Sequence, residues 1–445
     1  MDNANSSARA ADQQPGVREH DADAWQEFWA GQGQPWRTEP EIDAERQAEL
    51  AERLRVEPDV LLGIYPFRHV RLQRADLEWL LAKHENGRGP IDYHDPKQRE
   101  RVGLDLRGAD LSYAQLQNLP LARMVGDVTW RIWDNLTAKQ HRMAALQLQH
   151  ADLKGAFLEG ARLEYANLEE ADLRGCHLED ANLGEVNLRG SYCADVHLEG
   201  ANLWYAHLDG AFLWHAYLQG ANLFEAHLST AHLNDLVLAD EKRVGPQLMD
   251  THWEDANLSV VDWSQMNILG EENIALQKTR NGQPKDRATR IREFAEAVRA
   301  NRQLAVLLQA QGLNEDASHF IYRSQVLQRK WLALQGVPRL GAYLFSLLLA
   351  LLTGYGHRMG RIIAAYLLLI CLFAGLYYGF GLSYDPHITG IEAFILSITA
   401  FHGRVFSSPF HLQSPQGVVT AIEAIMGLLF EGIFIAMLTQ RFFGK

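Results

Sequence analysis

Cysteine is nearly absent: Cys176, Cys193 and Cys371 are all that 445 residues contain. They form no CxxC pair and no cluster, which excludes a disulfide framework and a cysteine zinc site and fits a reducing compartment. A cleavable signal peptide is also missing, because the first twenty residues are polar and acidic, with no basic stretch leading into an apolar core. Any insertion into a membrane must then use internal segments. Basic residues are outnumbered, 42 Lys and Arg against 55 Asp and Glu, for a formal net charge of −13. That argues against a general binder of the nucleic-acid backbone, which needs a basic face. There is no Walker loop, GxSxG elbow, HExxH helix or carboxylate pair at catalytic spacing, so neither an enzyme nor a cofactor is expected.

What is present is a repeat. From 148 to 238 a large apolar residue recurs every five positions, at Leu153, Leu158, Leu163, Leu168, Leu173 and onward, with Cys193 the one replacement of Leu. Two positions before most of them stands a small residue, as at Ala151, Ala156, Ala161, Ala166 and Ala171. A period of five fits neither a helix at 3.6 nor a strand at 2. If each pentad is one side of a square coil, twenty residues complete a turn and every Leu and Ala points inward onto its copy in the next turn. The run "ADLKGAFLEGARLEYANLEEADLRG" resembles the pentapeptide-repeat family, and the resemblance implies a right-handed quadrilateral β-helix over 101–270. An earlier turn is readable at Leu106, Leu111, Leu116 and Leu121 and a later one at Trp253, Leu258, Trp263 and Ile268, with insertions expected at 122–147 and 239–252.

Outward residues twenty apart then form ladders at the ordinary strand separation. Glu159, Glu179 and Glu199 make an acidic one, in a segment (148–238) with 14 acidic and 4 basic residues. Its readings are a solvated face, mimicry of DNA, or a basic partner. His177 with His197, and His207 with His227, sit on successive coils; the spacing fixes no carboxylate or thiolate beside them, so no metal site is expected. Trp204, Phe212, Trp214, Tyr217 and Phe224 place large aromatics outside the last coils. They are candidates for a partner surface, either for the chain's own helices or for a separate cytoplasmic protein.

Before the repeat, 1–20 is expected to be disordered and 21–100 to be a helical cap over strand edges that an open coil would expose. After it, 286–335 reads as a helical hairpin connector whose basic end borders an apolar region. Within that region 359–382 and 417–441 are each long enough to cross ~30 Å of hydrocarbon. The basic residues flanking them put both ends in the cytoplasm, at an inner membrane. The shorter run within 340–358 is expected to be an interfacial helix.

Between the two spans, 388–409 is expected to be a short pore helix and a filter-like loop. Span, short helix, loop and span resembles the two-span ion-channel pore module, and Thr399 and Gly403 match its filter pattern. Phe401, His402 and Arg404 depart from it, which argues against potassium selectivity. Glu423 and Glu431 are ionisable groups in the second span, with Gly427 between them, and are expected to line the pore and allow it to bend. With "PWRTEPEID", "HENGRGP" and "TQRFFGK", the whole order resembles bacterial multi-domain pentapeptide-repeat proteins with an ion-channel-like C-terminal module. The resemblance implies a homotetrameric pore in the lipid bilayer. The alternatives are a membrane-anchored scaffold that does not conduct, and an acidic β-helix that mimics DNA and binds a topoisomerase.

Overall fold

The computed structural model describes residues 21–128, 136–240, 244–280, 282–355, 359–383, 388–403 and 415–443; the segment 1–20 lies outside them. The chain divides into two compact units, Met1–Phe320 and Ile321–Lys445.

In the first unit the five-residue spacing becomes a four-sided coil. Parallel bridges join residues twenty apart in four columns, one of which runs Gln147, Asn167, Asn187, His207, His227 and another Phe157, His177, His197, Tyr217, Val237. Each rung is closed in both directions: Leu148 N donates to Asn167 O at 2.7 Å, and Asn167 N donates to Leu146 O at 3.0 Å. Inside, the Leu and Ala columns are sealed from solvent, and Cys176 and Cys193 lie in them as small apolar residues. Corners require a left-handed residue. Gly155 and Gly160 meet this at φ +62°, while Tyr165, Glu185 and Asp195 hold φ of +60°, +51° and +57°. For such residues the conformation costs roughly 1–2 kcal/mol, which the ladder bonds on either side offset.

Both expected insertions are narrower than the leucine pattern indicates. Val125 still pairs with Arg162, and Gln147 already pairs with Asn167, so 122–125 and Gln147 belong to the coil. The extra residues include a short helix that interrupts the coil, α4 (Ala138–Ala144). Likewise Gln247 and His252 are bridge positions, pairing with Asn222 and His227. Hydrogen bonding to the next rung, more than a central Leu, is what admits a segment to the coil.

The ends of the coil are covered differently. At the first end, after α1 (Ala22–Gly31) and α2 (Ala44–Arg53), Arg71 bridges Asp110 and leads into α3 (Arg74–Gly87). Glu78 on α3 is fully buried and accepts from Thr38 N at 2.8 Å, Glu39 N at 3.0 Å and Arg74 Nε at 2.8 Å, which ties the preceding loop down. At the other end follow α5 (Gly270–Leu276), a hairpin of β1 (Thr279–Arg280) and β2 (Gln283–Pro284), and α6 (Arg287–Ala310).

Here side chains stand in for the missing next coil. Glu271 Oε1 accepts from Leu248 N and Met249 N, both at 2.6 Å. Gln311 accepts from Leu258 N and donates to Ala256 O, each at 2.8 Å. Gln303 pairs in both directions with Asp250, and Gln265 does the same with Leu238 N and Leu236 O. A carboxamide carries one acceptor and a donor in the geometry of a peptide group, so it can continue a ladder. The segment 286–335, expected as one connecting hairpin, is therefore split in role. Its first helix, α6, caps the coil, and its second, α7 (Asn314–Gln335), crosses the division between the units.

The second unit holds α8 (Leu340–Thr353), α9 (Met359–Ser383), α10 (Gly390–Phe401) and α11 (Pro415–Phe443). Both α9 and α11 contain stretches long and apolar enough to cross a membrane, Gly360–Phe380 and Gly417–Ile435. α10 begins with a capping box between Thr389 and Glu392. It then runs back along α9: Ala393 near its start packs with Phe373 and Tyr377, and Phe401 at its end packs with Ile362, Ile370 and Phe430. Its twelve residues span about 18 Å. α10 thus runs back beside α9, ending with the Phe401 ring 5.2 Å from that of Tyr366.

Candidate functional site

Of the filter-like residues, the described ones, Thr399, Phe401, His402 and Gly403, lie at the end of a helix. Thr399 is helical, and its hydroxyl donates back to Ile395 O at 3.0 Å and Leu396 O at 2.9 Å. Phe401 is the last residue of α10 and is 1% exposed, within an apolar cluster. Gly403, at φ +61°, ends the helix by donating from its N–H to Ala400 O at 2.9 Å. The threonine hydroxyl and the phenylalanine ring are thus both satisfied in helical geometry. Arg404 and 405–409 lie outside the described residues.

Glu423 is fully buried within its own chain, accepting from Tyr377 Oη at 2.6 Å and Ser397 Oγ at 2.5 Å. One carboxyl thereby joins α9, α10 and α11. At Gly427 a Cβ would overlap the Phe401 carbonyl oxygen, so this glycine lets the end of α10 lie against α11. Glu431 meets His402, with Nδ1 and Oε1 2.5 Å apart, and His402 Nε2 is 3.0 Å from Tyr366 Oη. These three groups line a cavity of about 320 Å³ whose other walls are Ile362, Ile363, Phe401, Phe430 and Phe434. Tyr366, Tyr377 and Ser397 went unnoticed in the sequence because nothing in their local pattern separates them from ordinary span residues.

The aromatic candidates on the coils fall on different faces. Trp204 and Phe224 line a cavity of about 330 Å³ with Ile274 of α5 and Glu293 and Glu296 of α6, so they serve the chain's own cap. Tyr217 stacks on His197 at 4.4 Å and Phe212 lies between Tyr192 and His232 at 5.1 and 4.5 Å. Trp214, 46% exposed, lies edge-on to Phe212 at 5.9 Å. With Tyr192 at 48% this leaves an open aromatic strip on the coil.

The reading of the histidine ladder is also corrected at His177 and His197, where a carboxylate does lie beside the ring. Side chains two apart on a strand share a face, so Glu179 Oε1 stands 3.3 Å from His177 Nδ1 and Glu199 Oε1 stands 3.4 Å from His197 Nδ1. The readable signal was the H-L-E triplet at 177–179 and 197–199.

Residues 143–180, 181–213 and 197–235 match the family model for pentapeptide repeats, and with the bridge columns this establishes a pentapeptide-repeat β-helix in the first unit. No curated protein matches the chain. Among solved structures it is similar to HetL from the cyanobacterium Nostoc sp. strain PCC 7120, described as involved in regulating heterocyst differentiation, at 24% identity, 34% of this chain and 85% of that one, TM-score 0.16. It is similar to Rfr23 from the cyanobacterium Cyanothece 51142 at 23% identity, 33% and 88% coverage, TM-score 0.14. It is also similar to QnrB1, a plasmid-mediated fluoroquinolone resistance protein, at 14% identity, 40% and 91% coverage, TM-score 0.22.

Proposed function

We propose that this chain is a membrane-anchored pentapeptide-repeat scaffold: the coil offers a docking face for a cytoplasmic protein, and the two-span unit holds it at the inner membrane with both ends inside. The observation that carries the reading is the internal satisfaction of the intramembrane acids. Ionisable groups in a membrane helix line a water path or pair within the bundle, and Glu423 and Glu431 find Tyr377, Ser397 and His402 in their own chain. The docking face is the strip of Tyr192, Phe212 and Trp214, large apolar groups left open on the coil. The test is ion flux from vesicles carrying the purified full chain between pH 5 and 8. The scaffold reading expects the leak of empty vesicles; flux that Glu431→Gln or His402→Ala abolishes would overturn it.

One observation favours the second reading, a homotetrameric pore: α10 runs back beside α9 between two spans, the order of a pore module. Four subunits in native mass spectra together with that flux would establish it. Mimicry of DNA for a topoisomerase loses its support, because the acidic ladder is mostly covered, with side chains of Glu159, Glu179 and Glu199 only 3%, 17% and 14% exposed.

A further inference from the structure

The face of the coil that carries the histidine ladder is a different place from the aromatic strip and from the membrane bundle. His177 and His197 lie one above the other, rings 4.8 Å apart and 4° from parallel, within a stack that continues to Phe157 below and Tyr217 above. One ligand atom from each of His177, Glu179 and His197 can be drawn from within a 4.8 Å span. We propose that His177, Glu179 and His197 bind a divalent transition-metal ion of the zinc class.

Geometry and charge both point to a cation. Ligand atoms about 2.0–2.2 Å from a tetrahedral ion lie roughly 3.4 Å from one another, so rotation of the imidazole and carboxylate side chains closes the set. The histidines are 31% and 29% exposed, which gives an ion access from solution. Beside them Glu159, Glu179 and Glu199 stack rung on rung, and like charges directly opposite one another are destabilising.

Each of these carboxylates has a buried Oε2 with no hydrogen-bond partner, and Glu159 itself is 2% exposed. Among the described residues their ion-pair partners are histidines alone: His94, His177 and His197. A buried carboxylate left half-satisfied is costly, and an ion held by Glu179 would relieve the repulsion along the column. Two imidazole nitrogens favour zinc, copper or nickel over calcium or magnesium, which take oxygen.

The other histidine column shows why the site is specific. His207 and His227 stack similarly at 4.9 Å with Asp209 beside them. There Arg189 already occupies the acceptors, 3.0 Å from His207 Nδ1 and 3.1 Å from Asp209. A resident guanidinium repels a second cation, so that column is a built-in control.

The experiment uses the full chain in detergent, without a polyhistidine tag and stripped of metal, titrated with Zn²⁺ against a chromophoric chelator. One tight ion per chain is expected. His177→Phe and His197→Tyr place in the stack residue types it already carries at Phe157 and Tyr217, so the coil is retained, as circular dichroism will report. Each, and Glu179→Gln, should weaken binding about tenfold or more, while His207→Ala binds as the unmodified chain does. The proposal is overturned if no ion binds tightly, if the His177→Phe and His197→Tyr chains bind unchanged, or if His207→Ala loses as much as they do.

Discussion

The two units solve the problem of buried backbone in opposite ways. In the coil the rung peptide groups look to a coil about twenty residues away, the corners close locally, as Ala151 N does on Leu148 O at 3.1 Å, and the same few contacts recur at each side. In the helical unit each peptide group is satisfied four residues away, and the contacts between helices are made once each: one glycine at one carbonyl, one carboxyl between two hydroxyls. Repetition makes the coil's interior nearly independent of which rung is considered, so its individuality lies in the outward columns. The helical unit has no such redundancy, and its individuality lies in its interior.

That contrast can be broken by substitution, read out by calorimetry with hydrogen exchange to assign each transition to a unit. Leu183→Ala should have the largest effect, about 2–5 kcal/mol from a cavity in a fully sealed column, confined to the coil; an equal change in the helical unit would refute the separation. Gly427→Ala should destabilise the helical unit by about 1–3 kcal/mol, since the methyl group meets backbone that cannot turn away. Glu423→Ala should cost a comparable amount, roughly 1–3 kcal/mol, by leaving Tyr377 and Ser397 without their carboxylate. Unchanged hydrogen exchange in 370–400 would count against the single-contact picture.

Burial pushes the Glu271 carboxyl up to about 7, against the two N–H groups of Leu248 and Met249, which favour the carboxylate. Because the folded state holds its proton more tightly than the unfolded state does, this group stabilises the coil fully below about pH 4.5, and the contribution is lost as pH rises toward 7. Glu271→Gln keeps the acceptor and cannot ionise, so the variant should gain on the parent chain between pH 5 and 8, by on the order of 1–3 kcal/mol. Thermal unfolding at the two pH values decides it. The smallest effect is expected for Trp214→Ala, within about 0.5 kcal/mol of neutral, although it should cost the coil its partner if the aromatic strip docks one.

Legibility followed the same contrast. The coil could be read because its signal is periodic: Leu153 and Leu158 say little alone and a great deal together. The spans could be read from length and apolarity. What stayed hidden depends on meetings between distant residues, which no spacing encodes. Glu423 and Tyr377 are 46 positions apart, and Gln311 reaches Leu258 across 53. Thr399 and Gly403 matched a filter pattern, yet whether a threonine ends a helix or sits inside it is decided by what Phe401 packs against. The H-L-E triplets are legible only when the two-residue period of a strand is set beside the twenty-residue period of the coil, because a strand also brings together residues two apart.

The detour between Val125 and Gln147 has a practical consequence. Successive columns are normally five positions apart, yet here the chain travels 22 and rejoins the next column with its pairing to Asn167 intact. The detour is anchored where it leaves and returns, since Val128 and Ala144 are buried with Tyr65 and His141 stacks on Tyr165 at 4.9 Å. An epitope, a peptide tag or a reporter grafted between those anchors would leave the rungs on either side to carry on counting.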